Sequence, residues 1–457
     1  MDVNRLKVLL IGGNPAALSA ASAIRREHAD WEIYIYEKDK YVSYGSCGIP
    51  YYVSGKVKSL DNLITLTKDD LEKKRNIPVF INHEVIAVDF QEKICEIYDN
   101  DSNKTFSSNY DYLVIATGAK AKIAKGLDIN HPRIFKVHTL NDAEKLKTFL
   151  TSNQIKSVVI IGGGYIGLEM LEAYIANRIE GSNITIIGPR LVFHSESQNY
   201  IIKVAEKYGI NLKLNQRVKA LEKISEEKIK VNFQDGTSMD TELVQISIGV
   251  VPNTDMFKNS QLKLLPNGAI ITDEYMRTNI PNVYAAGDCA ASYHNILKKH
   301  VFIPLAPTAN KQGRIAGSHI AGIPSLEPFG GVYGTAVFKV LDLYCGRTGI
   351  TLEEAKELGY KADYILIENN EIAHYYPGVA KMSILLVFCT KTLRLLGAEI
   401  TAPSPMGAKK IDILATALAC KMTIKDLQKL DLAYAPPFSS VWDPILIAAN
   451  IARKKCS

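Results

Sequence analysis

The sequence predicts an α/β fold in which two similar parallel-sheet units are nested and an α+β region follows. The main observation is an internal repeat, because residues 8–13 recur about 150 residues later as residues 158–163. In each copy a β-branched run ends in glycines and precedes an Ala/Leu-rich helical pattern. A second apolar strand follows, at 31–36 and at 183–187. This order of strand, tight turn, helix and strand is typical of a parallel βαβ unit.

Two further strand-like runs, at 112–115 and 283–288, flank the second copy and complete the first sheet. We therefore expect the second unit to be inserted into the first. After about residue 330 no glycine fingerprint occurs, and Pro324 and Pro328 indicate the junction. The predicted domains are residues 1–119 with 250–327, residues 120–249, and residues 328–457. Within the last domain we expect strands at 364–367 and 382–388 and helices at 408–420 and 424–430.

Composition excludes several classes of protein. No apolar stretch reaches the roughly 18 residues of a membrane span, and the run at 8–11 is too short for a signal peptide. A net charge of +6 without a Lys/Arg block argues against a nucleic-acid partner. Seven cysteines without a C-x-x-C pair argue against a disulfide framework and a metal site. We therefore expect a cytoplasmic protein that binds neither metal, membrane nor nucleic acid.

The second copy carries a dinucleotide fingerprint, since residues 162–167 read G-G-G-Y-I-G between a strand and a helix. Gly162 permits the tight turn, Gly164 lets a pyrophosphate approach, and Gly167 lets the helix pack on the strand. The alternative is an ordinary glycine turn. Where a ribose-binding acid would end the next strand, the chain has Arg190. Because arginine pairs with a 2′-phosphate, the sequence predicts NADPH as the electron donor, with NADH possible.

The first copy is degenerate, since residues 12–17 read G-G-N-P-A-A. Gly12 and Gly13 remain, whereas Ala17 replaces the third glycine. Glu37 ends the next strand, where a ribose-binding carboxylate belongs. The alternative for Glu37 is a solvated charge at a strand end.

Cys47 follows the first βαβ unit, which places it near a nucleotide bound there. Gly45, Gly48 and Pro50 favour a short helix or turn around it. The alternative for any single cysteine is a small buried hydrophobic side chain, the role expected for Cys95, Cys389 and Cys420. Cys47 has small and polar neighbours, so we expect a reactive thiol. Nearby N–H groups and the nucleotide cofactor bound beside it are expected to lower its pKa below the roughly 8.5 of a free cysteine.

Several motifs together resemble the FAD/NAD(P)H-dependent disulfide reductases, most closely their single-cysteine branch, which includes coenzyme A disulfide reductases. The position five after Cys47, where two-cysteine members carry a second cysteine, is Tyr52. The resemblance implies two nested Rossmann-like domains, for FAD (1–119, 250–327) and NAD(P)H (120–249), and a C-terminal α+β dimerisation domain (328–457). The motifs are Gly12-Gly13 with Glu37, Ser43 with Cys47, Ala116-Thr117-Gly118, residues 162–167, residues 249–253 and Ala286-Gly287-Asp288.

The resemblance also implies functional residues. Asp288 is expected to contact the ribityl chain of the flavin, and Ser43, Tyr375 and Tyr434 to assist Cys47, with both tyrosines reaching it from the other subunit of a homodimer. Expected contacts to a coenzyme A-related disulfide are Ser19, Arg26, Ser46 and Arg75. Asn310 and Trp442 depart from the usual histidine and lysine. The remaining expected cofactor contacts are Ala16, Lys38, Thr117, Gly118, Tyr165, Gly249, Gly287 and Ala306.

Three functions remain open from the sequence. The first is an NADPH-dependent disulfide or persulfide reductase. The second is an enzyme similar to the NADH oxidases and peroxidases, which resemble one another in a histidine where this chain has Pro15. The third is a flavin-binding protein whose redox state controls an interaction with a partner. Only the first two predict turnover, on added disulfide or on oxygen respectively.

Overall fold

A computed structural model describes residues 5–127 and 130–456. Two five-stranded parallel sheets form its first two-thirds, as the repeat predicts. The first sheet has the order β18-β7-β1-β2-β3 and the second has the order β12-β11-β10-β16-β9. The first contains β1 (Lys7–Ile11), β2 (Glu32–Tyr36), β3 (Val79–Phe80), β7 (Tyr112–Ile115) and β18 (Val283–Ala285); the second contains β9 (Ile134–Lys136), β10 (Val158–Gly163), β11 (Ile184–Leu191), β12 (Asn211–Leu214) and β16 (Leu243–Ile246).

The two units are nested, because β7 and β18 are neighbours in the first sheet although all strands of the second sheet lie between them in sequence. The chain crosses between the units twice. At these crossings β8 (Ala119–Ala121) pairs antiparallel with β17 (Val250–Pro252). Smaller sheets cover the parallel ones: β4 (His83–Asp89), β5 (Ile94–Asp99) and β6 (Lys104–Asn109); β13 (Val218–Lys223), β14 (Ile229–Phe233) and β15 (Ser238–Thr241); and β19 (Ser292–His294) with β20 (Lys299–Val301).

The C-terminal region is an antiparallel sheet with helices, which confirms the α+β prediction. Its strand order is β21-β22-β25-β24-β23. Phe338 and Val340 of its first strand belong to the same core cluster as the second parallel sheet. The strands are β21 (Ala336–Val340), β22 (Leu343–Gly349), β23 (Ala362–Asn370), β24 (Lys381–Cys389) and β25 (Leu395–Ala402).

The helices are amphipathic or small-residue segments that cover these sheets. They are α1 (Pro15–Glu27), α2 (Ile49–Val53), α3 (Leu140–Ser152), α4 (Tyr165–Ala176), α5 (Ser195–Lys207), α6 (Ala306–Ile320), α7 (Leu352–Glu357), α8 (Pro405–Lys409), α9 (Ile411–Ala419), α10 (Ile424–Leu427) and α11 (Pro444–Lys455). None of the helices in the described ranges is long and apolar enough to cross a membrane.

Two helix predictions in the C-terminal region differ from the structure, one because the helix is divided and one because it was predicted too long. The expected helix at 408–420 is divided at Lys410, whose N–H donates to Gly407 in a tighter turn. The Lys410 ammonium pairs with Asp443, the N-cap of α11. The expected helix at 424–430 is the single turn Ile424–Leu427, which begins with a capping box between Thr423 and Asp426.

Candidate active site

Both glycine turns have the backbone that the fingerprint predicts. Gly12 and Gly162 have φ values of +109° and +117°, which favour glycine. A Cβ on Gly12 would lie 2.3 Å from the oxygen of Ala116, and one on Gly162 would lie 2.2 Å from that of Ser247. Any side chain here would collide with the adjacent strand end. The two turns are therefore equivalent in structure, although the first is degenerate in sequence.

The other two fingerprint glycines have different surroundings: one faces open space and the other is tightly packed. A Cβ on Gly164 would meet nothing within 4 Å, whereas one on Gly167 would lie 2.2 Å from the oxygen of Gly162. Gly164 thus leaves its backbone accessible to a pyrophosphate, and Gly167 brings α4 against β10. In the first copy Ala17 is fully buried and Pro15 starts α1.

A cleft of about 1210 Å³ opens beside the first glycine turn. It exceeds the roughly 300–1,000 Å³ of an ordinary small-molecule site, so it has room for a dinucleotide together with part of a substrate. Both its volume and the open N-terminus of α1 fit FAD. The predicted residues that line it are Gly12, Ala16, Ser19, Arg26, Glu37, Lys38, Ser43, Ser46, Cys47, Arg75, Thr117, Gly118, Gly287, Asp288, Ala306 and Asn310.

Glu37 is buried at the floor of this cleft. Its carboxylate accepts hydrogen bonds from the N–H of Gly13 at 2.6 Å and of Asp39 at 2.9 Å. Burial nevertheless raises its pKa. The neighbouring Lys38 is exposed on the cleft wall. The structure therefore connects Glu37 to the glycine turn, a contact that the sequence did not predict.

Cys47 lies in a short 3₁₀ helix, Ser46–Gly48, directly before α2. Ile49 and Val53 of α2 are buried in the core, which holds this turn in place. Cys47 is exposed to the cleft, whereas Cys95 and Cys389 are buried as expected. Cys420 was expected to be buried and is exposed, because it caps the C-terminus of α9 rather than continuing its apolar face.

The protein groups around Cys47 do not lower its pKa. Partial burial of the sulfur, then the nearby carboxyl groups of Glu169 and Asp288, raise the pKa of the thiol. The lower pKa expected for Cys47 depends on a flavin bound beside the sulfur and stays a prediction. A negative charge on either carboxyl group repels the negative charge of a Cys47 thiolate.

Glu169 lies near the thiol and was not predicted from the sequence. It lies on α4, one turn after Tyr165, and burial raises its pKa to about 7. Its charge acts on both Cys47 and Tyr51. The available signal was an acid on the apolar helix that follows the fingerprint, which is unusual for a buried face.

We expect Glu169→Gln to lower the pKa of the Cys47 thiol, because it removes a negative charge that forms as the pH rises through about 7. The measurement is the rate of alkylation of Cys47 against pH in the FAD-loaded protein. Glu144→Gln is the control, since Glu144 forms an exposed ion pair with Lys40. An unchanged alkylation profile in Glu169→Gln would contradict this expectation.

Ser43 and Ser19, which were expected in the same site, form hydrogen bonds in different ways: Ser43 through its backbone and Ser19 through its side chain. Ser43 is buried, with a φ of +51°, and its backbone bonds to Gly13 and Thr65. Ser19 Oγ donates to Asn310 Oδ1 at 2.9 Å. Asn310 thus lines the cleft, and its side chain is held by this hydrogen bond to α1.

The fingerprint residues of the second unit do not line this cleft. Tyr165 packs edge-on against Phe338 at 5.0 Å between ring centroids. Arg190 and Gly249 are exposed, and Arg190 lies near the end of β11. The second glycine turn therefore forms a separate candidate nucleotide site, as the nesting of the two units predicts.

Tyr375 and Tyr434 contact one another although 59 residues separate them, with 3.1 Å between their hydroxyl oxygens. Both are exposed, at 64% and 43%. The hydrogen bond to Tyr375 raises the pKa of Tyr434. Neither lines the cleft that contains Cys47. Other exposed apolar side chains of the same domain are Val337, Leu358, Tyr376, Val379, Met406, Phe438, Val441, Trp442 and Ile451.

Comparison with known proteins identifies the family. Residues 6–313 match the pyridine nucleotide-disulphide oxidoreductases, and residues 335–444 match the dimerisation domain of the same family. An NAD(P)H coenzyme A polysulfide/persulfide reductase of Pyrococcus horikoshii is 37% identical over 451 residues, 98% of each chain. An NADH oxidase of Methanocaldococcus jannaschii is 34% identical over 463 residues, 99% of this chain and 100% of that protein.

The fold agrees with these matches. The structure of a NAD-dependent persulfide reductase from A. fulgidus superposes with a TM-score of 0.93 at 34% identity, covering 98% of this chain and 83% of that one. The α/β architecture and the resemblance to disulfide reductases are thereby confirmed. The chain belongs to the pyridine nucleotide-disulphide oxidoreductase family and is an FAD- and NAD(P)H-dependent oxidoreductase with a C-terminal dimerisation domain.

Proposed function

We propose that the protein uses NADPH to reduce a small disulfide or persulfide related to coenzyme A, through FAD and the single thiol of Cys47. The observation that carries this proposal is the position of Cys47, which is exposed in the cleft beside the first glycine turn. Cys47 is the one cysteine that lines this cleft in residues 5–127 and 130–456. Without a second thiol there, the cycle requires a mixed disulfide with the substrate.

In this cycle the Cys47 thiolate attacks one sulfur of the substrate disulfide. The Cys47–substrate disulfide forms, the substrate S–S bond breaks, and the first thiolate leaves and takes a proton. FAD, held at the first glycine turn and Asp288, would supply the two electrons from NADPH that reduce the mixed disulfide to the second substrate thiolate and the thiolate of Cys47. The backbone of Ser43 fixes the segment before Cys47 against the glycine turn.

We assign FAD to the cleft and NADPH to the second glycine turn. Residues 1–119 and 250–327 would then hold FAD, residues 120–249 NADPH, and residues 328–457 the dimer contact. The many exposed apolar side chains of residues 375–442 support the last assignment, since exposed apolar surface is typical of an interface. We propose that the two hydroxyls reach Cys47 of the partner subunit and protonate the departing thiolate.

The preference for NADPH is assigned to Arg190, which is exposed near the end of β11. Arg190→Ala should lower kcat/KM for NADPH by about 10- to 100-fold, the effect of losing one charged hydrogen bond. The value for NADH should change little, because NADH lacks the 2′-phosphate. Steady-state kinetics with both donors measure this. An equal loss with both donors would contradict the assignment.

The function itself is tested by NADPH oxidation with coenzyme A disulfide under anaerobic conditions, compared with oxygen as the sole acceptor. We expect turnover with the disulfide and slow turnover with oxygen. The name of the M. jannaschii relative favours an oxidase as the second candidate. Rapid oxygen consumption without turnover of any disulfide would support that candidate and overturn the first.

A further inference from the structure

We propose that the second parallel-sheet unit positions Cys47 for the reaction, through Lys147 and Asn177 at the C-terminal end of α2. The inference deepens the proposed function and rests on it. Both side chains are positioning residues, since neither lines the cleft that contains Cys47. They connect the thiol to the unit that carries the second glycine turn.

Helix α2 belongs to the first unit in sequence but packs in the core of the second. It starts two residues after Cys47. Its buried side chains Ile49 and Val53 lie in the core cluster that contains Leu168 and Leu171 of α4. The position of the Cys47 turn therefore depends on contacts with the unit that we assign to NADPH.

A helix of five residues is too short to be stable without contacts from outside it. On its N-terminal side, the N–H of Gly45 donates to the carbonyl of Leu63 at 2.9 Å, which holds the start of the Cys47 turn. On its C-terminal side, the last carbonyls of a helix lack partners within the helix. In α2, side chains of the second unit donate hydrogen bonds to these carbonyls.

Lys147 and Asn177 are the two donors. Lys147 Nζ, on α3, donates to the carbonyl of Tyr52 at 2.8 Å and lies 3.8 Å from the centre of the Tyr52 ring. Asn177, the C-cap of α4, donates from Nδ2 to the carbonyl of Val53 at 3.1 Å. A charged donor and a cation–π contact strengthen the first of these bonds. The end of α2 is therefore fixed to both α3 and α4.

An ion-pair network extends the same arrangement to the C-terminal region. Lys56, three residues after α2, pairs with Glu172 of α4. Lys339 of β21 donates to both oxygens of that carboxylate, at 2.9 and 3.0 Å. Lys56 is half-exposed, and exposed ion pairs stabilise a fold only slightly. We therefore assign the positioning role to Lys147 and Asn177.

The position of Cys47 matters because its sulfur must meet both the substrate and the flavin in the proposed cycle. A displacement of about 1 Å can lower the rate of a reaction by about 10²-fold. Transfer of electrons from NADPH to FAD does not involve the thiol. Loss of the two contacts should therefore slow reduction of the disulfide and leave reduction of the flavin unchanged.

The test compares two double variants of the FAD-loaded protein. Lys147→Met/Asn177→Ala, the α2 variant, removes both donors at the end of α2. Lys145→Met/Asn153→Ala is the control. Lys145 is exposed on the same helix as Lys147, and Asn153 caps α3 as Asn177 caps α4, each with a bond of 2.8 Å to the carbonyl four residues earlier. The electron acceptors are coenzyme A disulfide, which requires the thiol, and ferricyanide, which takes electrons from reduced flavin directly.

In the α2 variant we expect kcat for coenzyme A disulfide to fall about tenfold or more. Turnover with ferricyanide and KM for NADPH should stay at the wild-type values, and the control should match wild type in all three measurements. Equal losses with both acceptors would show a general defect and overturn the inference, as would wild-type turnover with the disulfide.

Alkylation of Cys47 tests its position independently of turnover. Release of α2 from α4 moves the sulfur away from the carboxyl group of Glu169, whose charge opposes the thiolate. At about pH 8, where Glu169 is charged, we expect iodoacetamide to modify Cys47 about threefold faster in the α2 variant than in the control, measured by peptide mass. Equal rates would contradict the positioning role. If the wild-type protein reduces no disulfide but the two variants differ in alkylation, the proposed function fails and the positioning of Cys47 remains.

Discussion

Replacement of Cys47 by serine is expected to reduce disulfide turnover by on the order of 10³-fold or more, the effect of removing a catalytic nucleophile. A serine hydroxyl forms no mixed disulfide, so the cycle stops before the first thiol is released. FAD should remain bound, since its expected contacts lie on the glycine turn and at Asp288. Anaerobic oxidation of NADPH with disulfide gives the rate, and flavin absorbance gives the FAD content.

Cys420→Ser is the matched control for this prediction. Its thiol is also exposed, but it lies at the end of α9 and does not line the cleft. This variant should retain wild-type turnover. Activity above about one-tenth of wild type in Cys47→Ser would show that the thiol is not the nucleophile.

Replacement of both Tyr375 and Tyr434 by phenylalanine is expected to lower kcat by about 10²- to 10⁴-fold, the usual contribution of a general acid. Their hydrogen bond raises the pKa of Tyr434, so the Tyr434 hydroxyl retains a proton to donate at neutral pH. Tyr376→Phe is the control, because that neighbouring side chain is also exposed. Steady-state kinetics and the oligomeric state should be measured together.

Mixed dimers test whether the tyrosines act across the subunit contact. A dimer of one Cys47→Ser subunit and one Tyr375→Phe/Tyr434→Phe subunit has one complete site only if the hydroxyls come from the partner. We expect such dimers, purified with two different tags, to recover about half of the wild-type activity per dimer because one of two sites is intact. No recovery would show that the tyrosines do not serve the partner's thiol.

The sequence was most informative where a short segment has one physical solution. A glycine turn between a β-branched strand and a small-residue helix requires a left-handed backbone, so Gly12 and Gly162 could be recognised from their neighbours. The insertion of one unit into the other was predicted because strand-like runs on both sides of the second copy complete the first sheet. The helix predicted at 408–420 is divided at Lys410, and the one predicted at 424–430 ends at Leu427, because an apolar periodicity does not show where a helix breaks or ends.

The candidate site was predicted only in part. Cys47 could be selected among seven cysteines from its small and polar neighbours. Glu169 was missed, because its carboxyl group approaches the sulfur of Cys47 only through the folded position of α4. Cys420 was misassigned because an apolar helix pattern does not show where the helix ends.

Local chain chemistry determined the repeat and the two glycine turns, since backbone sterics and hydrophobic periodicity act over a few residues. Folding alone brought Tyr375 to Tyr434, and Asn310 of α6 to Ser19 of α1. These contacts join residues that are tens to hundreds of positions apart. Such contacts depend on the close packing of helices and sheets, and a local sequence pattern does not predict that packing.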